Sequence, residues 1–129
     1  GVLGIKLKRS DRVVGMGVVK DGKVKGYQVL SVMANGYGKR TDLADYKIQG
    51  RGGSGIKTAK ITTKTGGLTN AFVVSTEKMQ DRDLVIISAK GQVIRLPYKT
   101  VSESGRDTQG VRLMRFKEAD DEVAAVTWI

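Results

Sequence analysis

The sequence Val-Leu-Ser-Val-Met-Ala-Asn-Gly at residues 29–36 is matched, 55 positions later, by Leu-Val-Ile-Ile-Ser-Ala-Lys-Gly at residues 84–91. The match continues without a gap, so that residues 29–74 correspond to residues 84–129. Aligned pairs include Arg40 and Arg95, Gly50 and Gly105, Arg51 and Arg106, and Gly55 and Gly110. A repeat of about this length is typical of propellers and of other arrays built from one supersecondary unit. The repeat therefore indicates an array of similar units.

The apolar runs of the chain are short and rich in β-branched residues, which favours an all-β protein. Turn signals at Asp21-Gly22, Asn35-Gly36 and Lys90-Gly91 separate them. Asn35-Gly36 predicts a type I′ hairpin turn, in which both residues have φ > 0. Only residues 41–46 suggest a turn of helix. The predicted strands are Val13–Val19, Tyr27–Ala34, Ile56–Ile61, Leu68–Ser75, Leu84–Ala89, Val93–Leu96, Val111–Phe116 and Val123–Ile129.

The repeat length and the strand count together predict the domain organisation. A unit of about 55 residues with four strands has the size of one propeller blade. We divide the chain into a partial blade at residues 1–28, a first full repeat at residues 29–83 and a second repeat at residues 84–129. We therefore expect propeller-like blades of about four antiparallel strands each, as a fragment of a larger ring.

The charge of the chain is strongly positive and unevenly distributed. Lys and Arg number 23 against 13 Asp and Glu, which gives a net charge of +10. Residues 1–64 hold 14 basic and 4 acidic residues, whereas residues 65–129 hold 9 of each. A small protein this basic usually binds a polyanion, although a solvated basic surface without a partner is the alternative interpretation. We expect the partner to lie mainly against the first half of the chain.

The composition disfavours catalysis by this segment. The chain has no His and no Cys, so the usual general base and the thiolate metal ligands are missing, and the cytosol is the default compartment. We find no nucleophile–base pair, and we expect no catalytic residue, no metal site and no cofactor. Four acidic residues fall on a predicted hairpin tip, which we interpret as a solvated turn: Glu118, Asp120, Asp121 and Glu122.

The clearest local motif is the glycine-rich loop Gln49-Gly50-Arg51-Gly52-Gly53-Ser54-Gly55. Its glycines allow a close approach of the backbone to a ligand, and Arg51 offers a planar guanidinium suited to phosphate. It lacks the Gly-Lys-Ser/Thr ending of a Walker loop. A flexible loop between strands is the alternative, but the recurrence of Gly50, Arg51 and Gly55 in the second repeat favours a repeated function.

Further cations recur at matching positions of the repeats. Aromatic residues make up 5% of the chain, which disfavours base stacking and favours duplex DNA held through its phosphates. One set of such cations stands beside apolar residues at matching positions of the two repeats: Lys57, Lys60, Arg112 and Arg115. The candidate DNA-binding residues are Lys39, Arg40, Lys47, Arg51, Lys57, Lys60, Arg95, Arg106 and Arg112.

Two stretches carry a family resemblance: Asn-Gly-Tyr-Gly-Lys-Arg-Thr at residues 35–41 and Gly-Arg-Asp-Thr-Gln-Gly-Val at residues 105–111. With them, nearly the whole chain resembles the last two to three blades of the C-terminal domain of the DNA gyrase A protein, a six-bladed β-pinwheel. The resemblance implies a non-catalytic domain of an ATP-dependent type II topoisomerase that wraps duplex DNA around a basic rim and supports negative supercoiling. It also implies two partners, the remainder of the gyrase A protein and the gyrase B protein, and a cytoplasmic, nucleoid-associated location.

The resemblance is incomplete at the family's diagnostic box, which reads Gln-Arg-Arg-Gly-Gly-Lys-Gly. Residues 49–55 have Gly50 and Ser54 where the box has Arg and Lys, so this loop carries two fewer cations than the box. Two alternatives stay open. One is the related C-terminal domain of the topoisomerase IV A protein, and the other is a β-repeat scaffold that docks a protein.

Overall fold

The protein contains two antiparallel sheets, seen in a computed structural model that describes residues 1–20 and 24–129. The turn predicted at Asp21-Gly22 lies outside the described residues. The strands are β1 (Tyr27–Met33), β2 (Tyr37–Asp42), β3 (Leu68–Ser75), β4 (Asp83–Ser88), β5 (Val93–Pro97), β6 (Val111–Arg112) and β7 (Val123–Trp128), and helix α1 spans Thr76–Met79. Two 3-10 turns span Leu43–Asp45 and Tyr98–Thr100.

The first sheet receives one strand from the second repeat. Its order is β3-β1-β2-β6, and β6 belongs by sequence to the second repeat. The pairing places Tyr37 opposite Arg112 and Gly38 opposite Val111. The second sheet has the order β5-β4-β7 and only three strands in the described part of the chain. The all-β prediction is therefore confirmed, and the two repeats are joined by a shared sheet.

The 55-residue period is visible in the elements themselves. The two 3-10 turns begin at residues 43 and 98, and the hairpin glycines Gly36 and Gly91 both have a φ of +88°. The strands predicted within residues 27–34, 68–75, 84–89, 93–96 and 123–129 are confirmed, while the run predicted from Val111 is a strand for two residues only. The helical turn suggested for residues 41–46 is the first of the two 3-10 turns.

Two predicted strands are wrong and two elements were missed. Residues 13–19 and 56–61 form no strand in the described part of the chain, since neither has a partner strand to complete a ladder. Residues 13–19 lie instead on β3, where a Cβ at Gly15 would be 2.2 Å from the Ala71 carbonyl oxygen. Strand β2 is polar, with the sequence Tyr-Gly-Lys-Arg-Thr-Asp, and lacks the apolar alternation that predicts a strand. Helix α1 is too short to show a helical period.

The type I′ turn predicted at Asn35-Gly36 is also wrong. Gly36 has a positive φ, but Asn35 does not. The Gly36 amide donates a hydrogen bond of 3.0 Å to the Met33 carbonyl, which is the pattern of a type I turn followed by a glycine bulge. The Asn35 side chain is used elsewhere, because its amide nitrogen donates to the carbonyls of Thr63 and Lys64 at 3.2 Å. The side chain thus ties the hairpin to the segment before β3.

The core lies between the two sheets. Alternation along β1 and β4 turns Leu30 and Val32, and Leu84 and Ile86, into this interior, and all four are fully buried. Each such side chain contributes about 1.5–3 kcal/mol of burial free energy. The rings of Phe72 and Trp128 add an edge-to-face contact at 5.2 Å. The core cluster comprises Leu30, Val32, Val74, Met79, Leu84, Ile86, Tyr98, Val101, Leu113, Met114, Val123 and Val126.

The helical content is small. Among residues 1–20 and 24–129, no helix has the length and apolar character that would allow it to cross a membrane.

Candidate nucleic-acid interface

Two basic segments, one from each repeat, lie side by side at the edge of the first sheet. The Lys60 amide donates a hydrogen bond of 2.9 Å to the Thr108 carbonyl. Two residues earlier in the second segment, the Arg106 guanidinium donates to the Lys57 carbonyl at 3.3 Å. The two segments run in the same direction, because Lys57 and Lys60 meet Arg106 and Thr108 in the same order. This arrangement brings Arg106 of the second repeat to the segment that carries Lys57 and Lys60, although Arg106 and Lys57 are 49 residues apart in the sequence.

The same surface continues into a cleft of about 430 Å³ at the junction of the repeats. Arg112 and Lys64 lie on the ring of Tyr37, with their charged groups 5.2 and 5.7 Å from its centroid. Arg112 also donates a hydrogen bond of 3.1 Å to the Tyr37 hydroxyl. Burial raises the pKa of Tyr37, but the hydrogen bonds and positive charges of Arg112 and Lys64 outweigh that effect and lower it below its usual value. The cleft lining comprises Asn35, Lys64, Arg112, Met114, Arg115 and Phe116.

We define the basic strip as the six cations of these two features: Lys57, Lys60, Lys64, Arg106, Arg112 and Arg115. Five are exposed, and Arg106 is half-buried. Neither salt bridge found among the described residues involves the strip. One acidic residue, the exposed Asp107, follows Arg106 in the same loop. The strip is therefore an exposed surface of strongly positive charge that draws on both repeats.

The strip contains four residues that the sequence singled out as DNA-binding, together with Arg115 from the same candidate set. Sequence reasoning missed Lys64, which precedes the turn at Thr65-Gly66-Gly67 and has no counterpart in the other candidate sets. Its position four residues after Lys60 was the one available signal. The four predicted members are Lys57, Lys60, Arg106 and Arg112.

Lys39 and Arg40 face the protein interior and the neighbouring repeat. Lys39 is fully buried, and its ammonium group donates to the carbonyls of Gly105 and Arg106 at 2.7 and 2.5 Å. Arg40 donates to the Val101 carbonyl at 2.8 Å and is half-buried. We do not include Lys39 in the basic strip because its ammonium group is buried, and we do not include Arg40 because it lies over the Tyr98 ring in a different cleft.

The remaining predicted cations lie apart from the strip or are paired. Arg95 forms an ion pair of 2.7 Å with Asp83 on the second sheet. Arg51 and Lys47 are exposed, in and before the glycine-rich loop at residues 49–55. This loop lies against the start of the chain, where the Lys6 amide donates to the Gly53 carbonyl at 2.8 Å.

The Lys6–Gly53 bond has a counterpart further along the chain, where the amide of Lys60 in the first repeat donates to the carbonyl of Thr108 in the second. Gly53 and Thr108 are equivalent positions, 55 residues apart. The loop at residues 104–110 is thus the structural equivalent of the glycine-rich loop. Both loops pack on a basic segment that precedes them in the chain.

The acidic hairpin tip includes a structural carboxylate. Asp121 is buried and accepts hydrogen bonds from the amides of Lys90 and Glu122 at 3.0 and 2.9 Å. Burial raises its pKa, but the hydrogen bonds from Ser88 and from these amides outweigh burial and lower it. Interpreting all four acids as a solvated turn was therefore wrong for Asp121, which caps the turn. Among the described residues, no group of three or more acidic side chains is arranged to hold a metal ion.

Comparison with known proteins identifies the family. The family model described as "DNA gyrase C-terminal domain, beta-propeller" matches residues 1–20, 34–75 and 82–127, which is most of the chain. The chain is 44% identical over 122 residues to the DNA gyrase A protein of Staphylococcus aureus strains MRSA252 and NCTC 8325. These matches cover 95% of this chain but only 13% of each relative.

Solved structures agree with this assignment. The fold is similar to a structure of the DNA gyrase A C-terminal domain, with a TM-score of 0.80 and 30% identity, over 98% of this chain and 40% of that one. It is also similar to the C-terminal domain of DNA topoisomerase IV, with a TM-score of 0.83, over 100% of this chain and 38% of that one. The second likeness has 16% identity and concerns the fold alone. The chain therefore belongs to the family of DNA gyrase C-terminal domains, and its two sheets are part of such a β-propeller.

Proposed function

We propose that this segment binds duplex DNA through the basic strip, as a non-catalytic wrapping element of the A protein of DNA gyrase, a type II topoisomerase. The observation that carries the proposal is the strip itself, in which cations of both repeats lie together and take part in neither of the ion pairs found in the described part of the chain. Lys and Arg side chains that neutralise phosphates release counterions, and this release supplies most of the affinity in sequence-independent DNA binding. A basic surface of this kind suits a duplex bent around the protein.

The structure favours double-stranded over single-stranded DNA as the ligand. Proteins that bind single strands present aromatic rings on which bases stack. Tyr37 lies beneath the cations of Lys64 and Arg112 and is only 5% exposed. Phe116 lines the cleft but is half-buried. The strip therefore offers charge to a phosphate backbone and little stacking surface to bases.

The proposed role within the whole enzyme is mechanical. The chain spans about 13% of the length of the relatives that it matches. In this proposal, strand passage and ATP hydrolysis belong to other parts of the enzyme, and the remainder of the gyrase A protein and the gyrase B protein are partners in the holoenzyme. Duplex DNA held along the strip would be presented to the strand-passage region with a fixed handedness. The partner and its place in the cell follow from this role: chromosomal DNA at the nucleoid, in the cytoplasm.

A salt titration of duplex binding by the full chain tests the proposal. Six phosphate contacts predict that log K falls with log salt with a slope of roughly −5. Replacing Lys57, Lys60 and Arg112 with Gln should reduce the magnitude of this slope by about 3, since each lost contact removes about 0.9. A matched control replaces three exposed lysines outside the strip with Gln: Lys25, Lys78 and Lys99.

The outcomes separate DNA binding from protein docking. A flat salt response of the wild type would contradict the proposal and favour a protein-docking scaffold. Equal reductions by the two triple variants would show that net charge, and not the strip, determines binding. In the complete gyrase holoenzyme, the strip variant should lose negative supercoiling while it retains relaxation of supercoiled plasmid.

A further inference from the structure

The ammonium group of Lys39 uses all three of its N–H donors in hydrogen bonds to the loop at residues 104–110. It donates to the Gly105 carbonyl at 2.7 Å, the Arg106 carbonyl at 2.5 Å and the Thr108 hydroxyl at 2.9 Å. A lysine ammonium has three donors, so none is left unsatisfied. The side chain has an exposed fraction of 0%, and two of its acceptors are backbone atoms of residues 66 and 67 positions away in sequence. Lys39 therefore bonds the backbone of this loop from below.

The loop is attached to β2 at both of its ends. At its start, the Ser104 amide donates to the Arg40 carbonyl at 3.0 Å, and at its end, pairing with β2 resumes at Val111. The Thr108 hydroxyl donates within the loop to the Gly105 carbonyl at 2.8 Å. The Lys60 amide holds the Thr108 carbonyl from outside. Between these points, the bonds from Lys39 define where the backbone of Arg106 lies.

A buried cation at this position is costly unless its partners are in place. Burial lowers the pKa of Lys39, and the nearby Asp107 carboxylate opposes that effect. The equivalent residue of the second repeat is Ile94, which packs on the apolar core. The strand therefore accepts an apolar side chain at this position of the repeat. What requires a lysine in the first repeat is the loop that packs over β2, because its carbonyl oxygens need a hydrogen-bond donor.

The loop that Lys39 holds carries one member of the basic strip. The Arg106 guanidinium donates to the Lys57 backbone carbonyl at 3.3 Å, which places it against the basic segment of the first repeat. Loss of the bonds from Lys39 would release the backbone that carries Arg106 and weaken this contact.

We propose that Lys39 is a positioning residue for DNA binding: it fixes the loop at residues 104–108 so that Arg106 completes the strip formed by the first repeat. This inference rests on the proposed function. Lys39 itself makes no contact with DNA. It couples the two repeats, because a residue of the first determines where a phosphate-binding residue of the second lies.

The test compares Lys39→Met, Arg106→Ala and the double variant in duplex binding by the full chain. Each single variant should weaken binding roughly three- to tenfold and reduce the salt slope by about 1. The double variant should be no weaker than the weaker single variant, because Lys39 acts only through Arg106. Losses that add in the double variant would overturn the inference. Lys78→Met removes the same charge from an exposed site and should leave the slope unchanged.

A second readout is independent of DNA. Hydrogen exchange of the amides at residues 105–108 should be faster in Lys39→Met and also in Thr108→Val, which removes one acceptor of Lys39 together with the bond that Thr108 donates to the Gly105 carbonyl. Unchanged exchange in both variants would overturn the inference, even if Lys39→Met weakens binding. Faster exchange together with an Arg106→Ala variant that binds DNA normally would leave Lys39 as a loop anchor and would contradict the DNA role of Arg106.

Discussion

The two repeats have the same succession of strands and turns but differ in the segments that pack on them. The first sheet receives β6 from the second repeat as a fourth strand, whereas the second sheet has three strands in the described part of the chain. Gly36 and Gly91 occupy equivalent turns with the same φ of +88°. A Cβ on Gly36 would lie 2.4 Å from the Met114 carbonyl oxygen, but a Cβ on Gly91 would meet nothing within 4 Å. Equivalent residues therefore contribute differently to stability, because the neighbouring unit covers only one of them.

The cations of β2 and β5 differ in the same way. Lys39-Arg40 on β2 bonds the loop of the next repeat, whereas the equivalent Ile94-Arg95 on β5 has an apolar residue and an arginine paired within its own sheet. The aligned arginines thus have different partners: Arg40 bonds a carbonyl of the next repeat, and Arg95 forms an ion pair within its own sheet.

The largest expected difference concerns the two turn glycines. Gly36→Ala should destabilise the full chain by about 3 kcal/mol, from roughly 1–2 kcal/mol for an L-residue in the left-handed region and a further 1–3 kcal/mol for displacing the backbone at Met114. Gly91→Ala should cost only the first of these contributions, about 1–2 kcal/mol. Urea unfolding of both variants measures the difference. Equal costs would show that the cover over Gly36 does not constrain the turn.

A second difference appears at high pH, at the two 3-10 turns. Tyr98 is buried and donates a hydrogen bond of 2.8 Å to the Gln28 side chain, and burial raises its pKa to about 12. The unfolded chain loses this proton near pH 10, so the free energy of unfolding should fall between pH 10 and 12, by roughly 2–3 kcal/mol for a shift of two pKa units. The equivalent Leu43 has no proton to lose.

Unfolding of the wild type and of Tyr98→Phe at pH 9 and pH 11.5 isolates this contribution. The phenylalanine variant should start less stable at pH 9, since the Gln28 side-chain carbonyl loses its donor, and should show a smaller fall with pH. Identical falls in the two proteins would assign the pH dependence to other groups.

The smallest expected difference concerns the aligned arginines. Arg40→Met should cost about 2 kcal/mol, because it leaves the Val101 carbonyl without its donor and removes a cation–π contact of 5.2 Å with Tyr98. Arg95→Met should cost less than about 1 kcal/mol, since its ion pair with Asp83 is exposed on the arginine side. Thermal unfolding of the two variants ranks them, and the reverse order would contradict the assignment of Arg40 to contact between the repeats.

The accuracy of the sequence predictions followed the apolar composition of the strands. Short apolar runs rich in β-branched residues located β1, β3, β4, β5 and β7. Polar β2 was missed, since Gly38 lies under Leu113 and Lys39 under a loop, and neither burial is visible in a hydrophobicity pattern. The run at residues 13–19 has the composition of a strand but no partner strand among the described residues.

The candidate site was predicted in composition but not in arrangement. The charge count indicated that DNA would lie mainly against the first repeat, whereas the basic strip joins three lysines of the first repeat to three arginines of the second. Lys39 could not be separated from Lys57 or Lys60 by sequence, because a buried and an exposed lysine differ only in what folds over them. That cover comes from a loop more than 60 residues away.

The sequence alone determined the repeat, the all-β class, the turn glycines and the basic character of the surface, since these depend on local spacing and on residue counts. The tertiary structure decided which repeat supplies the fourth strand, which glycine is covered and which cations are free to meet a phosphate. Those outcomes depend on contacts between residues far apart in the chain. A buried lysine whose ammonium group is bonded by carbonyl oxygens holds two segments together, whereas a lysine on the solvated surface is free to meet a phosphate.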